Sequence, residues 1–283
     1  MNNSKQKIET DKINQIAEKL AEQLQKGYSE DFKNYLKVAS QFHRYSYNNQ
    51  MLIFSQMPKA TRVAGLRTWN KLGRRVKKGE KSIKIFGRPS VKRVVQKEDG
   101  SEEEIRFGAC PILSVFDISQ TEGEDIPNSM QSLGDEGREL YLLLKEKMQA
   151  SGIEVTEKAL FQGVQGVSYG GKVEILDSLD WTNKFLVLIH EFAHEIMHKG
   201  SENRLLPRGI KECQAEATAY IVAASFGIES NISSDYLINW GNTSETLKSN
   251  LTEVVKASQI IINCLSSADS QVPDNQPSEE ATA

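Results

Sequence analysis

The sequence predicts an α+β chain of two domains, and three observations lead there. Its 283 residues exceed one ordinary domain of roughly 100–200. The hydrophobic period shifts along the chain from helical spacing to alternation and back. Charge is split as well. From Gln41 to Lys97 there are 15 Lys or Arg against one acid, Glu80, a local net charge of +14; the remainder holds 20 basic and 37 acidic residues, net −17. A basic module joined to an acidic one accounts for this, whereas an evenly mixed surface does not.

Composition excludes several classes. With 39% hydrophobic and 26% charged residues the chain fills at least one core and is not disordered as a whole. No run of 18 apolar residues occurs, so no membrane-spanning helix or membrane partner is expected. Met1 to Lys7 is polar with no apolar stretch behind it, unlike a secretory signal. Cys110, Cys213 and Cys264 are scattered, which argues against a disulfide framework and for a reducing, cytoplasmic location.

Residues 10–26 read as an amphipathic helix capped by Asp11, with Ile13, Ile16, Leu20 and Leu24 in one stripe and Gly27 at its end. A second helix follows Ser29, with Phe32, Leu36 and Ala39 inward. A third runs from Tyr47 to Met57 and stops at Pro58. Residues 65–72 suit a short helix. The period then changes to strands at Ser82–Phe86, Val91–Gln96, Glu103–Phe107 and Ile112–Phe116, with Asp99-Gly100 as a hairpin turn between the middle two. Residues 118–133 are polar, contain Gly123 and Pro127, and read as a linker. Beyond it come a helix near 135–149, a strand Lys172–Leu176 after Gly170-Gly171, and a long helix from a Thr182 cap to Lys199. A helix from Pro207 to Gly227 and a last one over 244–264 complete the domain. The tail Ser266–Ala283, rich in Ser, Asp, Glu and Pro, reads as disordered.

The sharpest motif is His190-Glu191-Phe192-Ala193-His194 in the long helix. Two histidines four apart stand one turn above the other and can share one Zn²⁺. Glu191 is then placed to take a proton from a water that zinc acidifies, the arrangement of a metallopeptidase. Catalytic zinc needs a third protein ligand and an open position. Glu212 and Glu216, one turn apart on the following helix, share a face with the small Ala215 and Ala219 and with Tyr220, which allows close helix approach. One of the two glutamates can bind the metal while the other orients a ligand histidine; spacing does not say which. Cys213 points about 100° away from Glu212 and is set aside. His198, four residues after His194, suits either polarising a substrate carbonyl or capping the helix end. His43 reads as a surface residue.

The basic window interleaves cations with aromatic and amide groups. Its candidate nucleic-acid contacts are Arg44, Tyr45, Asn48, Asn49, Arg62, Arg67, Trp69, Lys71, Arg74, Arg75, Lys77, Lys78, Lys81 and Lys84. Phosphate neutralisation supplies affinity and exposed rings supply stacking, so single-stranded nucleic acid is the expected partner. Leu52, Ile53, Phe54 and Trp69 also suit a core.

Several ordered stretches carry a family resemblance: Tyr45-Ser46-Tyr47-Asn48-Asn49-Gln50-Met51-Leu52-Ile53, Gln56-Met57-Pro58-Lys59-Ala60-Thr61, Leu72 to Lys81, and Val115-Phe116-Asp117-Ile118-Ser119-Gln120-Thr121-Glu122-Gly123. They resemble the N-terminal domain of ArdC-type antirestriction proteins. The second half is similar to the zincin-like domain that follows in that family, itself like ImmA/IrrE metallopeptidases. The resemblance implies a single-stranded-DNA-binding domain over 8–117, a linker over 118–133, a mostly helical zincin-like metallopeptidase domain over 134–265 and a tail over 266–283. It implies a mobile-element protein that protects incoming DNA from restriction, either as a peptidase with a protein or peptide substrate or as a strand-coating protein whose metal is structural. Carried onto this chain, the metal motif falls on His190, Glu191 and His194, with Glu191 catalytic. Zincins with a glutamate ligand point to Glu212 as the third ligand, and the ImmA-like pattern points to Glu216. Glu212 is taken as the ligand, with Glu216 as alternate or outer support. The ImmA-like pattern has a further acid where this chain carries Gln214.

Overall fold

The computed structural model describes residues 30–89, 91–96, 102–107, 110–125, 136–200, 206–230 and 244–266. They fall into two units, one comprising 48–125 and the other 30–47 with 136–266. The helix expected over 10–26, the Asp99-Gly100 turn and the tail beyond 266 lie outside the described residues. No described helix is long and apolar enough to cross a membrane.

Helix α1 (Glu30–Gln41) buries Tyr35, Leu36, Val38 and Ala39. The sequence placed it in the first domain, but its apolar face packs within the second unit. His43, just beyond it, is half-buried rather than on the surface; its Nδ1 lies 3.2 Å from the Ser40 carbonyl oxygen, and burial pushes its pKa down.

The first unit begins within α2 (Tyr47–Gln56), from Asn48 on, followed by β1 (Val63–Ala64), α3 (Leu66–Lys71), β2 (Arg74–Val76) and β3 (Ile83–Phe86). The hairpin β4 (Val91–Gln96) and β5 (Glu102–Phe107) precedes β6 (Ile112–Asp117) and β7 (Thr121–Gly123). An antiparallel sheet has the order β1-β6-β3, and β2 pairs with β7. Met51, Leu52, Ile53, Trp69, Ile83, Ile85 and Val115 fill the core.

The edge of β3 is closed by amide side chains from α2. Asn49 donates to the Phe86 carbonyl and accepts from the Phe86 N–H, both at 2.8 Å, and Gln56 does the same to Lys84 at 2.9 Å. An exposed strand edge invites pairing with another chain, and these amides satisfy it. Residues 118–123, read from sequence as linker, instead form a 3₁₀ turn and β7. Asp117 anchors them. Its carboxylate accepts from the Thr61, Arg62 and Ser119 N–H groups, while Gln120 returns a bond to the Asp117 N–H.

The second unit contains α4 (Glu136–Ala150), β8 (Glu154–Lys158), β9 (Gly166–Ser168), β10 (Lys172–Leu176), α5 (Trp181–Met197), α6 (Arg208–Ser225) and α7 (Ser244–Leu265). β10 is central, parallel to β8 and antiparallel to β9. Val155, Val173 and Ile175 are buried with Tyr141, Leu144, Phe185 and Leu188. Sequence periodicity missed β8 and β9, because Glu154–Lys158 is charged and Gly166–Ser168 is only three residues long.

Glu157 on β8 joins α4 and α5 to the sheet, lying 2.9 Å from Lys145 Nζ and 2.6 Å from Lys184 Nζ. Partial burial pushes its carboxyl up, but hydrogen bonds from the two ammoniums outweigh this and hold it at about 2. Against an unfolded value near ~4.3, the folded state favours the ionised form. The stabilisation is therefore complete above the unfolded value and is lost as pH falls toward about 2. In urea unfolding from pH 6 to pH 2, wild type should lose stability more steeply than Glu157→Gln, with the two curves converging at the acid end.

Candidate metal centre

Helix α5 starts at Asp180, not Thr182. The Asp180 carboxylate accepts from the Asn183 N–H at 2.9 Å. The helix then carries His190, His194 and His198 up one face. Helix α6 packs on it, and its small residues Ala215, Ala217 and Ala219 are buried.

Three ligand atoms from these helices converge. His190 Nε2 and His194 Nε2 are 3.1 Å apart, and Glu212 Oε2 lies 3.4 Å from the first and 3.7 Å from the second. Tetrahedral ligands held 2.0–2.1 Å from one ion must be about 3.3 Å from one another, so the donor set fits a divalent metal. Among the described residues this is the group of His, Cys, Asp and Glu that could hold an ion. Glu216 stands elsewhere: its Oε2 is 3.4 Å from His190 Nδ1, the nitrogen facing away from the cluster. Cys213 is buried and contributes no atom to the cluster.

The electrostatics follow from this crowding. Burial alone would lower the His190 pKa, but the Glu212 and Glu216 carboxylates raise it to about 9. The histidines in turn hold the Glu212 carboxyl far below the usual range. Glu191 is buried, and burial pushes its carboxyl up, against the pull of His190 and His194. A carboxylate so raised is a stronger base than one in water.

Strand β9 lies across this part of α5. A Cβ on Gly166 would fall 2.5 Å from Val187 and 2.9 Å from Glu191 Oε1, so only glycine allows the strand so near. Two residues on, Ser168 donates to Glu195 Oε1 at 2.6 Å. The Glu195 carboxylate also takes the N–H groups of Gly170 and Gly171 at 2.8 and 2.7 Å; both glycines have positive φ, which turns successive N–H groups toward one anion. Val187, Glu191 and Glu195, spaced four apart, thus form the rail on which β9 rests. Tyr169 N–H bonds the Lys172 carbonyl and Leu176 N–H bonds the Gln165 carbonyl. By antiparallel alternation the backbone groups of Gly166 and Ser168 then point away from β10, along the outer edge of the sheet.

His198 is the C-cap residue of α5, and its ring has a neighbour at each nitrogen. Its Nδ1 is 2.8 Å from His194 Nδ1 and its Nε2 is 2.8 Å from Gln214 Oε1. Burial, with His194 and Lys211 nearby, pulls its pKa down to about 4, although Gln214 opposes the shift. Sequence spacing put His198 on the right face but could not reveal its partner on α6.

The candidate nucleic-acid contacts separate by burial. Four of them are corrected. Trp69 is fully buried, with its indole N–H bonded to the Phe116 carbonyl at 2.9 Å. Tyr45 is buried in the second unit. Asn49 is spent on the β3 edge. Arg74 is buried, with its guanidinium donating to Thr121 Oγ1, the Thr121 and Gly123 carbonyls and the Glu124 carbonyl. Each is itself buried and so closed to a strand. Asn48, Arg67, Lys71, Arg75, Lys77, Lys78 and Lys81 are exposed; Arg44, Arg62 and Lys84 are half-buried, and Arg44 lies in the second unit. Of the aromatic side chains whose burial is described in the first unit, Phe54 and Trp69 are buried and Phe86 and Phe116 are half-buried.

Comparison with known proteins finds similarity in sequence and in fold. Residues 3–116 match the family model for the N-terminal domain of anti-restriction factor ArdC. An uncharacterized protein of Bacillus anthracis is 26% identical over 94% of this chain and 53% of its own, so the chain spans about half that relative's length. Two crystal structures of the antirestriction ArdC protein from plasmid R388 are similar in fold. The Mn(II)-bound form has a TM-score of 0.54 at 16% identity, covering 92% of this chain and 99% of that one. The metal-free form has 0.51 at 17%, covering 78% and 85%. The chain is therefore similar to ArdC in two respects: residues 3–116 match the model of its N-terminal domain, and the mixed helix-and-sheet fold resembles that of the R388 protein.

Proposed function

We propose that this protein binds single-stranded DNA and acts as a metal-dependent peptidase in antirestriction on a mobile element. The observation that carries the reading is the meeting of His190, His194 and Glu212 at one point with Glu191 beside it. The Mn(II)-bound state of a structural relative supports a divalent ion, and the His₂Glu donor set supports zinc as that ion. The antirestriction role draws on the N-terminal match and on the name of the R388 protein.

Bound at these ligands, zinc would supply Lewis acidity to water and to a substrate carbonyl. The protein's own part is distinct. His190 and His194 present Nε2, fixed by Glu216 and His198 at their other nitrogens. Glu191, raised by burial, accepts the proton of the attacking water. The outward backbone groups of Gly166 and Ser168 align an extended peptide by strand addition. Arg75, Lys77, Lys78 and Lys81 on the first unit meet phosphates.

Glu191→Gln should retain metal and DNA while cleavage of a strand-associated protein falls by about 10³-fold, within the range of losing a positioned base. Cleavage by this variant at the wild-type rate would refute the peptidase reading. A second reading rests on the same geometry: an ion joining α5 to α6 can serve the fold alone. In that case Glu191→Gln protects DNA from restriction as well as wild type, whereas reversal of the four cations destroys protection.

A further inference from the structure

Beyond the ligand cluster runs a line of uncharged polar groups that ends on α7. Gln214, almost fully buried, directs its amide oxygen at His198 Nε2 at 2.8 Å and donates from its nitrogen to Asn250 Oδ1 at 3.1 Å. Asn250 is itself buried. His198 Nδ1 faces His194 Nδ1 at 2.8 Å. Each link permits one direction of donation. An amide oxygen only accepts, so the proton of a neutral His198 sits on Nε2. Its Nδ1 is then bare and can only accept, so His194 carries its proton on Nδ1. His194 Nε2, 3.1 Å from His190 Nε2, is left with its lone pair turned toward the cluster.

We infer that His198, Gln214 and Asn250 form a tautomer lock on His194, a set of positioning residues that turns its Nε2 lone pair toward the metal ligands. The inference rests on the metal-centre reading for its purpose but not for its geometry. The lock reaches from α7 through α6 to the end of α5, three consecutive helices. It also gives Gln214 a reason to be uncharged. A carboxylate there would favour a doubly protonated His198, whose Nδ1–H would have to donate to His194 and would drive the His194 proton onto the ligating nitrogen.

The test has two arms on the full chain. In the metal-free protein, long-range ¹H–¹⁵N correlation spectra should report His194 as the Nδ1–H tautomer and His198 as the Nε2–H tautomer. Finding the His198 proton on Nδ1 overturns the lock whatever the metal does. In Zn²⁺ titrations against a chelating dye, Gln214→Leu and His198→Leu should each weaken binding about 10–100-fold, the range for outer partners of a ligand histidine. His198→Gln, which restores an acceptor near His194, should recover affinity to within a few-fold of wild type. Equal affinity in wild type, Gln214→Leu and His198→Leu overturns the inference. Equal, weak binding in wild type and His190→Ala instead removes the metal-centre reading, and the spectra still decide the tautomers. If Gln214→Leu does not fold, His198→Gln against His198→Leu carries the comparison.

Discussion

Glu212→Gln should cost about 10³-fold in Zn²⁺ affinity, whereas Glu216→Gln should cost only about 10–100-fold. The asymmetry is geometric. Glu212 Oε2 lies within 3.4 and 3.7 Å of both inward-facing imidazole nitrogens, so it can share their ion. Glu216 meets only the outward Nδ1 of His190, where a carboxylate can hold the ring and raise its basicity without touching the metal. If three protein ligands divide a binding free energy of about 12 kcal/mol, losing one forfeits about 4 kcal/mol, close to a thousandfold. Removing an orienting carboxylate leaves all three ligands in place and costs the smaller amount. Competitive titration of both variants against a chelator measures the difference directly. The reverse order of affinities would reassign the third ligand to Glu216 and break the account of α6.

Reversing four exposed cations, Arg75→Glu, Lys77→Glu, Lys78→Glu and Lys81→Glu together, should weaken single-stranded DNA binding by more than about 10²-fold and flatten its salt dependence. Each phosphate neutralised on a single strand contributes about 0.7 to the slope of log affinity against log salt, so four lost contacts remove about 2.8. At about 0.15 M salt that alone is a factor of about 200, and the four added acids repel the strand further. Phe54 and Trp69 are buried and Phe86 and Phe116 half-buried, so these rings offer little stacking surface and the wild-type slope should be steep. Anisotropy titrations of a labelled oligo-dT across salt concentrations test both numbers. Unchanged slope and affinity would place the DNA contact elsewhere. Arg74 is left out because its guanidinium is buried among the carbonyls of β7; reversing it would disrupt the β2–β7 pair and confuse folding with binding.

The HExxH helix, its neighbour with two glutamates, and the basic window could be read from the sequence because each depends on neighbours along the chain. The 3.6-residue period alone puts His190, His194 and His198 on one face, and Glu212 and Glu216 on another. Charge counting alone separates a cationic segment from an acidic remainder. Which of those cations are accessible is a different matter. Arg74 and Arg75 are adjacent in sequence, yet one is sealed against Thr121 and the other is exposed, because strand pairing with a segment some fifty residues away chooses the side. The same holds at the metal centre. The choice between Glu212 and Glu216, the capture of His198 by Gln214, and the laying of β9 over Glu191 all turn on how α5, α6 and the sheet meet. Periodicity describes the face a helix presents, but contacts between elements far apart in sequence are set by close packing of their side chains, and only the folded chain holds that information.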